Sequence, residues 1–331
     1  MNRRLVLAAL GVAGVRLLGM RLPPRAAEES TNNPLHSLLP NFKPASRDAL
    51  HRLLSDSGFS GQIPEAQVSG LLSTEQKSID ALMLALLPLA KTYARPPISG
   101  FEVGAVVRGA SGSLYLGANI EIPGQSLGFS VHAEQAALSN AYMHADRGVS
   151  AIAVTAAPCG HCRQFMKELS PEGDIQILIE GKPAEKLSTL LPLAFGPKDL
   201  GFPDGAFPVK EVGLVPLEAG SDELTAAAWD AARKSYAPYT KAHSGVALGT
   251  RADRVYTGSY IENAAFNPSL SPLQTALAAL IVAGEDYSAV GGAVLVEMER
   301  AAISQRSVTE AALRAIAPAV QLQMVTTKIK S

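Results

Sequence analysis

FSVHAEQAALSNAYMHADRGVSAIAVTAAPCGHCRQFMKEL, residues 129–169, holds two polar clusters separated by an apolar run. The first cluster is His132-Ala133-Glu134, and the second is Pro158-Cys159-Gly160-His161-Cys162. Val149 to Ala157 is continuously apolar apart from Ser150 and Thr155, as a buried strand would be. The Ala-rich residues after His132 favour a helix over 131–143. Pro158 stands just ahead of RQFMKEL, which predicts a second helix over 160–169. With a strand at 150–156 these make one α/β unit.

The residue types in the clusters fit metal chemistry. Zinc takes nitrogen and sulfur ligands in a tetrahedron, and a catalytic site keeps one position for water. His132, Cys159 and Cys162 supply three ligands. Two cysteines three apart share one face of a helical turn, and a helix start favours thiolate. Two thiolates cancel the charge of one zinc ion. Glu134 lies two residues past His132, within reach of the water without being needed as a ligand, and can take a proton and return it to a leaving group. A structural zinc site would want a fourth protein ligand. His161 could serve, but it lies between the cysteines. A redox pair would leave His132 and Glu134 unexplained. The joint pattern H-x-E followed after ~25 residues by P-C-x-x-C is the signature of zinc nucleobase deaminases.

The chain resembles cytidine deaminases, specifically the long, dimeric bacterial class, which carries HAEQ and PCGHCRQFMNEL. Here the matching stretches are HAEQ (132–135) and PCGHCRQFMKEL (158–169). Further matches are ALLPLA (85–90), PPISGFEVGAV (96–106), LYLGANIE (114–121), AFGPKDL (194–200) and GSYIENAAFNPSLSPLQTAL (258–277). The resemblance runs from about residue 45 to the C-terminus. It implies an α/β fold, a three-layer α/β/α sandwich with a mixed sheet. It also implies zinc-dependent hydrolytic deamination of cytidine and deoxycytidine to uridine and deoxyuridine, in pyrimidine salvage. One zinc per chain, a homodimer and a cytoplasmic location follow from the same likeness.

Asn119 and Glu121 end a predicted strand on one face and offer the donor and acceptors that ribose hydroxyls need. In the family the matching residues bind the ribose. The resemblance further assigns Phe101 to packing on the base and the Ala133 amide to the pyrimidine carbonyl. Phe266, in Glu262-Asn263-Ala264-Ala265-Phe266, is assigned to the partner subunit's pocket. Where these relatives carry an aromatic, two residues before the proline of PCGHC, this chain has Ala156. His161 and Arg163 are expected beside the metal or on the surface, not as ligands. His36, His51, His144 and His243 are expected on the surface, and Met143 and Trp229 in the core.

The whole chain is consistent with a nucleoside enzyme. Its 331 residues are 47% apolar, enough for two domains or one large one. The net charge of −1 and the lack of a basic block argue against a nucleic-acid partner. A small-molecule nucleoside and no membrane are expected instead. Both cysteines belong to the metal pair, which excludes a disulfide framework and suits a reducing compartment. Residues 1–33 form a basic and apolar extension whose Leu5–Val15 run is too short to span a bilayer. This piece reads as an unordered segment or misplaced start, as organelle targeting through 1–27, or as a secretory signal. A small helical region is expected over 34–72, the catalytic domain over 73–182, a proline-rich linker over 183–220 and a degenerate copy over 221–331.

That copy shows as a repeat. Shifted by 141 positions, Pro97 falls on Pro238, Gly104 on Gly245, Gly117 on Gly258 and Glu121 on Glu262. The same shift puts His132 on Leu273, Glu134 on Thr275, Cys159 on Arg300 and Cys162 on Ile303, so the second copy lacks every ligand. Two other functions fit less well. One is a deaminase of another small cytosine nucleoside. The other is a catalytically silent zinc-binding scaffold, which would have no need of Glu134.

Overall fold

The structure, a computed structural model, describes residues 35–169, 174–217 and 222–330. The readings for residues 1–33 therefore lie outside the described residues. The chain enters through helices α1 (Leu35–Leu38) and α2 (Pro44–Leu54), a short strand β1 (Gln62–Ile63) and α3 (Glu65–Glu75). α4 (Ile79–Ala85) and α5 (Leu87–Lys91) follow. The sequence pattern predicts one kinked helix over 74–93. In the structure Gln76 turns left-handed at φ 54 and closes α3 behind residue 75. Ser78 then caps α4 by accepting from the Ala81 N–H at 3.2 Å. Pro88 lacks the N–H that would carry α4 onward, and the helix restarts at Leu87.

The first sheet contains β2 (Gly104–Gly109), β3 (Leu114–Ala118), β4 (Val149–Val154), β5 (Gln176–Ile179) and β6 (Glu185–Lys186). Its order is β1-β3-β2-β4-β5-β6, mixed, with β4 and β5 parallel. Helices α6 (Ala133–Met143) and α7 (Gly160–Leu169) flank β4 in sequence. After α8 (Leu187–Leu190), β7 (Leu214–Pro216) begins a second sheet. This sheet adds β8 (Ser244–Thr250), β9 (Val255–Ser259), β10 (Val290–Met298) and β11 (Leu322–Ile329). Its helices are α9 (Glu223–Arg233), α10 (Pro272–Val282) and α11 (Arg306–Ile316). Residues 183–220 thus supply β6 to the edge of one sheet and β7 to the edge of the other.

The run β9-β8-β10-β11 repeats β3-β2-β4-β5 in order and direction. The shared glycines explain why the pattern survives. A Cβ on Gly117 would stand 2.1 Å from the Ala137 nitrogen, and one on Gly258 2.2 Å from the Pro272 oxygen. Each lets a helix lie directly on a strand. The gapless shift of 141 does not continue, however. The bridge from Ile120 returns at Val131, and that from Ile261 returns at Leu270, a loop two residues shorter. His132 therefore corresponds to Ser271, both N-caps, and Glu134 to Leu273 rather than Thr275. The second copy has neither ligand nor carboxylate there.

The two copies face one another through α6 and α10. The contacts are reciprocal. Gln135 Nε2 donates to Pro268 O at 3.2 Å, and its counterpart Gln274 donates to Phe129 O at 3.3 Å. Gln125 donates to Ala311 O, and Asn263 to Gln164 O. Such exchange marks an approximate two-fold between copies. The outer face of the first sheet packs Val106 and Leu116 on Leu82, Leu86 and Leu87. The second sheet packs Val294 and Val296 on Ala228 and Ala232 of α9.

Several side chains differ from expectation. His243 is buried, 7% exposed, and its Nδ1 meets Ser235 Oγ at 2.9 Å, because its strand entrance lies under α9. His144 is half-buried, joined to Ser60 Oγ at 2.7 Å. Met143 and Trp229 pack at the margins of the cores, both half-buried. Among the described residues no helix is long and apolar enough to cross a membrane.

Candidate active site

The bridge between Ile120 and Val131 turns the chain so that His132 becomes the N-cap of α6, with extended backbone at φ −81, ψ 154. Its own N–H is taken by Gln135 Oε1 at 3.4 Å. Cys159 immediately precedes α7 and Cys162 lies in its first turn. The two helix starts meet. His132 Nδ1 is 3.5 Å from Cys159 Sγ and 3.3 Å from Cys162 Sγ, and the sulfurs are 3.6 Å apart.

These spacings test whether the residues fit zinc. Bonds of about 2.0–2.3 Å at tetrahedral angles put ligand atoms about 3.5–3.8 Å apart. Two of the observed distances, 3.5 and 3.6 Å, fall in that range, and the third, 3.3 Å, is shorter by about 0.2 Å. The sulfur chemistry agrees. Hydrogen bonding to Cys162, then the amides of Cys162 and His161, hold the Cys159 thiol down to about 4. The same hydrogen bond, together with burial, pushes Cys162 up. Two sulfurs this close cannot both be thiolates without a cation between them. Among the described residues this is the one His/Cys/Asp/Glu group whose donor atoms could hold a metal ion.

Glu134 is one residue into α6 and 4% exposed. Burial pushes its carboxyl above the ordinary carboxylate range, partly offset by the backbone and by His132. A carboxyl raised in this way is suited to hold and release a proton.

A cavity of about 530 Å³ opens over these residues. His132, Ala133, Glu134 and Cys159 form its floor, and Phe101, Asn119, Glu121 and Leu127 its walls. Ala156 and Ala157 line it too. Cys162 lies beneath it, fully buried. The predicted residues of the first copy thus come together.

Asn119 and Glu121 hold a loop, which their spacing did not reveal. Asn119 Oδ1 accepts from Val103 N and its Nδ2 donates to Phe101 O, both at 2.8 Å. Glu121 accepts from Ile98 N at 2.8 Å, Ser99 N at 2.9 Å and Ser99 Oγ at 2.6 Å. Against the burial that would raise it, these bonds from Ser99 and Ile98 hold the carboxyl below its ordinary range. Together the pair fixes the loop 98–103. Phe101 stands on that loop, 63% exposed, as a wall of the cavity and not as core.

Arg163 and His161 are not in the ligand group. Arg163 donates to Pro158 O at 2.8 Å and to Leu190 O at 2.7 Å, bracing the cysteine turn. His161 lies 3.3 Å from Gln135 Nε2, its ring 6.0 Å from that of His132. Phe266 does not line this cavity. It is 62% exposed in a turn at φ 60, where a bulky residue is an outlier. Phe266 N–H donates to Asn263 O, and Ser269 N–H to Phe266 O, each at 2.9 Å.

The chain is similar to known proteins over most of its length. Residues 76–176 and 187–310 each match a family described as cytidine and deoxycytidylate deaminase zinc-binding region. The chain is 45% identical over 270 residues to a cytidine deaminase of Salmonella dublin, covering 82% of this chain and 91% of that protein. It is 45% identical over 260 residues to one of Vibrio vulnificus, covering 78% and 88%. A crystal structure of cytidine deaminase from Burkholderia pseudomallei matches at 32% identity and a TM-score of 0.32, covering 36% of this chain and 100% of that one. One from Mycobacterium tuberculosis matches at 27% and 0.33, covering 36% and 99%.

Proposed function

The chain belongs to the cytidine deaminase family, and from that premise we propose how its residues divide the reaction. The protein is an enzyme that hydrolyses cytidine and deoxycytidine to uridine and deoxyuridine, with zinc as cofactor. His132, Cys159 and Cys162 would hold zinc, which would act there as a Lewis acid and lower the pKa of water toward neutral. Glu134 takes a proton from that water and delivers it to N3 of the ring. As the water oxygen bonds C4, Glu134 takes the remaining proton from that oxygen and passes it to the amine, so that the C4–N bond breaks and uridine and ammonia leave. Ala133 is the first residue of α6, where a helix leaves its N–H without an intrahelical partner. In this reading that N–H donates to the pyrimidine carbonyl. Asn119 and Glu121 receive the ribose hydroxyls, and Phe101 packs on the base.

One observation carries this reading. A buried carboxyl, Glu134, stands beside three donor atoms at tetrahedral spacing, at the floor of a cavity walled by Asn119 and Glu121. The test is direct. Cytidine added to the zinc-loaded protein should lose ultraviolet absorbance as ammonia appears in equal amount. Unchanged absorbance with zinc bound would refute it.

The working unit in this proposal is a homodimer that serves pyrimidine salvage in the cytoplasm. Ile98, Phe101 and Leu127 leave apolar surface at the cavity mouth, which a second chain would cover. Phe266 is an exposed aromatic held outward in a strained turn and away from its own chain's cavity. We assign it to the cavity of the partner, where it would exclude water from the base.

A further inference from the structure

α7, which Cys159 precedes and which contains Cys162, also carries Glu168, which no step of the reaction uses. Glu168 is fully buried, at 0% exposure. Its Oε1 accepts from Tyr236 OH at 2.8 Å and Tyr239 OH at 2.6 Å. Its Oε2 accepts from Ala264 N at 2.8 Å. All three donors are uncharged, and all three belong to the second copy.

Those donors bracket one feature. Ala264 is two residues from Phe266 in the same turn. The Tyr239 ring is 6.5 Å from the Phe266 ring, and stands edge-on to Phe202 at 5.1 Å. One turn before Glu168, Gln164 O accepts from Asn263 Nδ2 at 3.1 Å. A single carboxylate therefore ties down both segments that flank Phe266. An apolar side chain could join the copies without the desolvation that a buried carboxylate requires. It could not accept from a backbone N–H and two phenols at once, and so could not orient the turn.

We propose that Glu168 is a positioning residue: it sets the turn 262–266 of its own chain, and through Phe266 the fit of substrate in the partner subunit's pocket. This rests on the dimer reading above. Glu168 lies on the helix that begins just after Cys159 and contains Cys162 of one site, yet its effect on catalysis falls on the other site.

Glu168→Gln tests it, because glutamine keeps the volume and one acceptor oxygen. The variant should hold one zinc per chain, as the parent does, and keep kcat near the parent's. Its KM for cytidine should rise by roughly tenfold, as expected for one lost charge-assisted hydrogen bond. Tyr239→Phe, which removes one donor with little threat to folding, should move KM the same way by less. The deciding experiment co-expresses Glu168→Gln and Glu134→Gln chains under different tags and isolates mixed dimers. Their one working Glu134 lies on the Glu168→Gln chain, and its pocket receives Phe266 from the chain with Glu168 intact. KM should return to the parent's value. A KM that stays raised places the action within the same chain and overturns the proposal, as does an unchanged KM in both single variants. A monomeric parent that still deaminates cytidine would overturn the proposal together with the dimer. A parent that does not turn over cytidine at all would instead strike the deaminase reading itself.

Discussion

Three atoms from two helix starts, His132 Nδ1, Cys159 Sγ and Cys162 Sγ, lie close enough to hold one metal ion. His132→Ala, Cys159→Ala and Cys162→Ala should each lose zinc and turnover together, checked by metal analysis beside the absorbance assay. This cluster was legible in the sequence because its spacing is local: one helical turn joins the cysteines, and Glu134 is two residues from His132. The duty of Asn119 and Glu121 in holding a loop was not, since their partners Ile98, Ser99, Phe101 and Val103 come from a separate loop. That duty sharpens a prediction. Glu121→Gln loses bonds to a charged group worth about 1.5–3 kcal/mol and should raise KM for cytidine accordingly. Ser99→Ala loosens the loop and leaves the carboxylate, so it should cost much less. Equal losses in steady-state kinetics would mean that Glu121 acts only by holding the loop.

At the scale of elements, helices lie on strands where glycine permits it. A Cβ on Gly117 would meet backbone of α6 at 2.1 Å, which the helix cannot yield. Gly117→Ala should therefore destabilise by about 1–3 kcal/mol or more through overpacking. Gly70, in α3, has nothing within 4 Å of its added Cβ. Gly70→Ala should stabilise by roughly 0.5–1 kcal/mol. Urea midpoints of the two variants should move in opposite directions. The repeat was legible through these glycines. The two-residue deletion before Leu270 was missed, because the gapless match at a shift of 141 ends before that loop and the few identities beyond it, such as Gln135 with Gln274, follow a shift of 139. The break between α4 and α5 follows Pro88 as the sequence implies. The end of α3 at Gln76 could not be read, since a non-glycine residue rarely turns left-handed.

For the whole molecule, the fold joins one working copy to one that has Ser271 and Leu273 in place of His132 and Glu134. The surface between them holds buried Glu168, and this has a consequence for stability. Burial pushes that carboxyl above its ordinary value of 4.5, so the folded protein favours the protonated form. Stability from this group is full below that value and is lost as pH rises through the raised one. The melting temperature of the parent relative to Glu168→Gln should therefore fall as pH rises across this window, and a constant difference would show that Glu168 does not titrate in it. Assembly gives its own test. Co-expressed Glu134→Ala and Phe266→Asp chains, each nearly inactive alone, should rise toward about a quarter of parental activity, because random pairing makes half the dimers mixed and each of those has one complete site. Activity equal to the average of the two homodimers would mean that Phe266 serves its own chain.

The central claim is that Glu134 moves protons beside a zinc ion that it does not hold. Glu134→Gln keeps size and polarity and removes the proton transfer. Its kcat on cytidine should fall by at least the 10²–10⁴ typical of a lost general acid–base group, while metal analysis still finds one zinc per chain. Turnover within about tenfold of the parent with zinc in place would contradict the account.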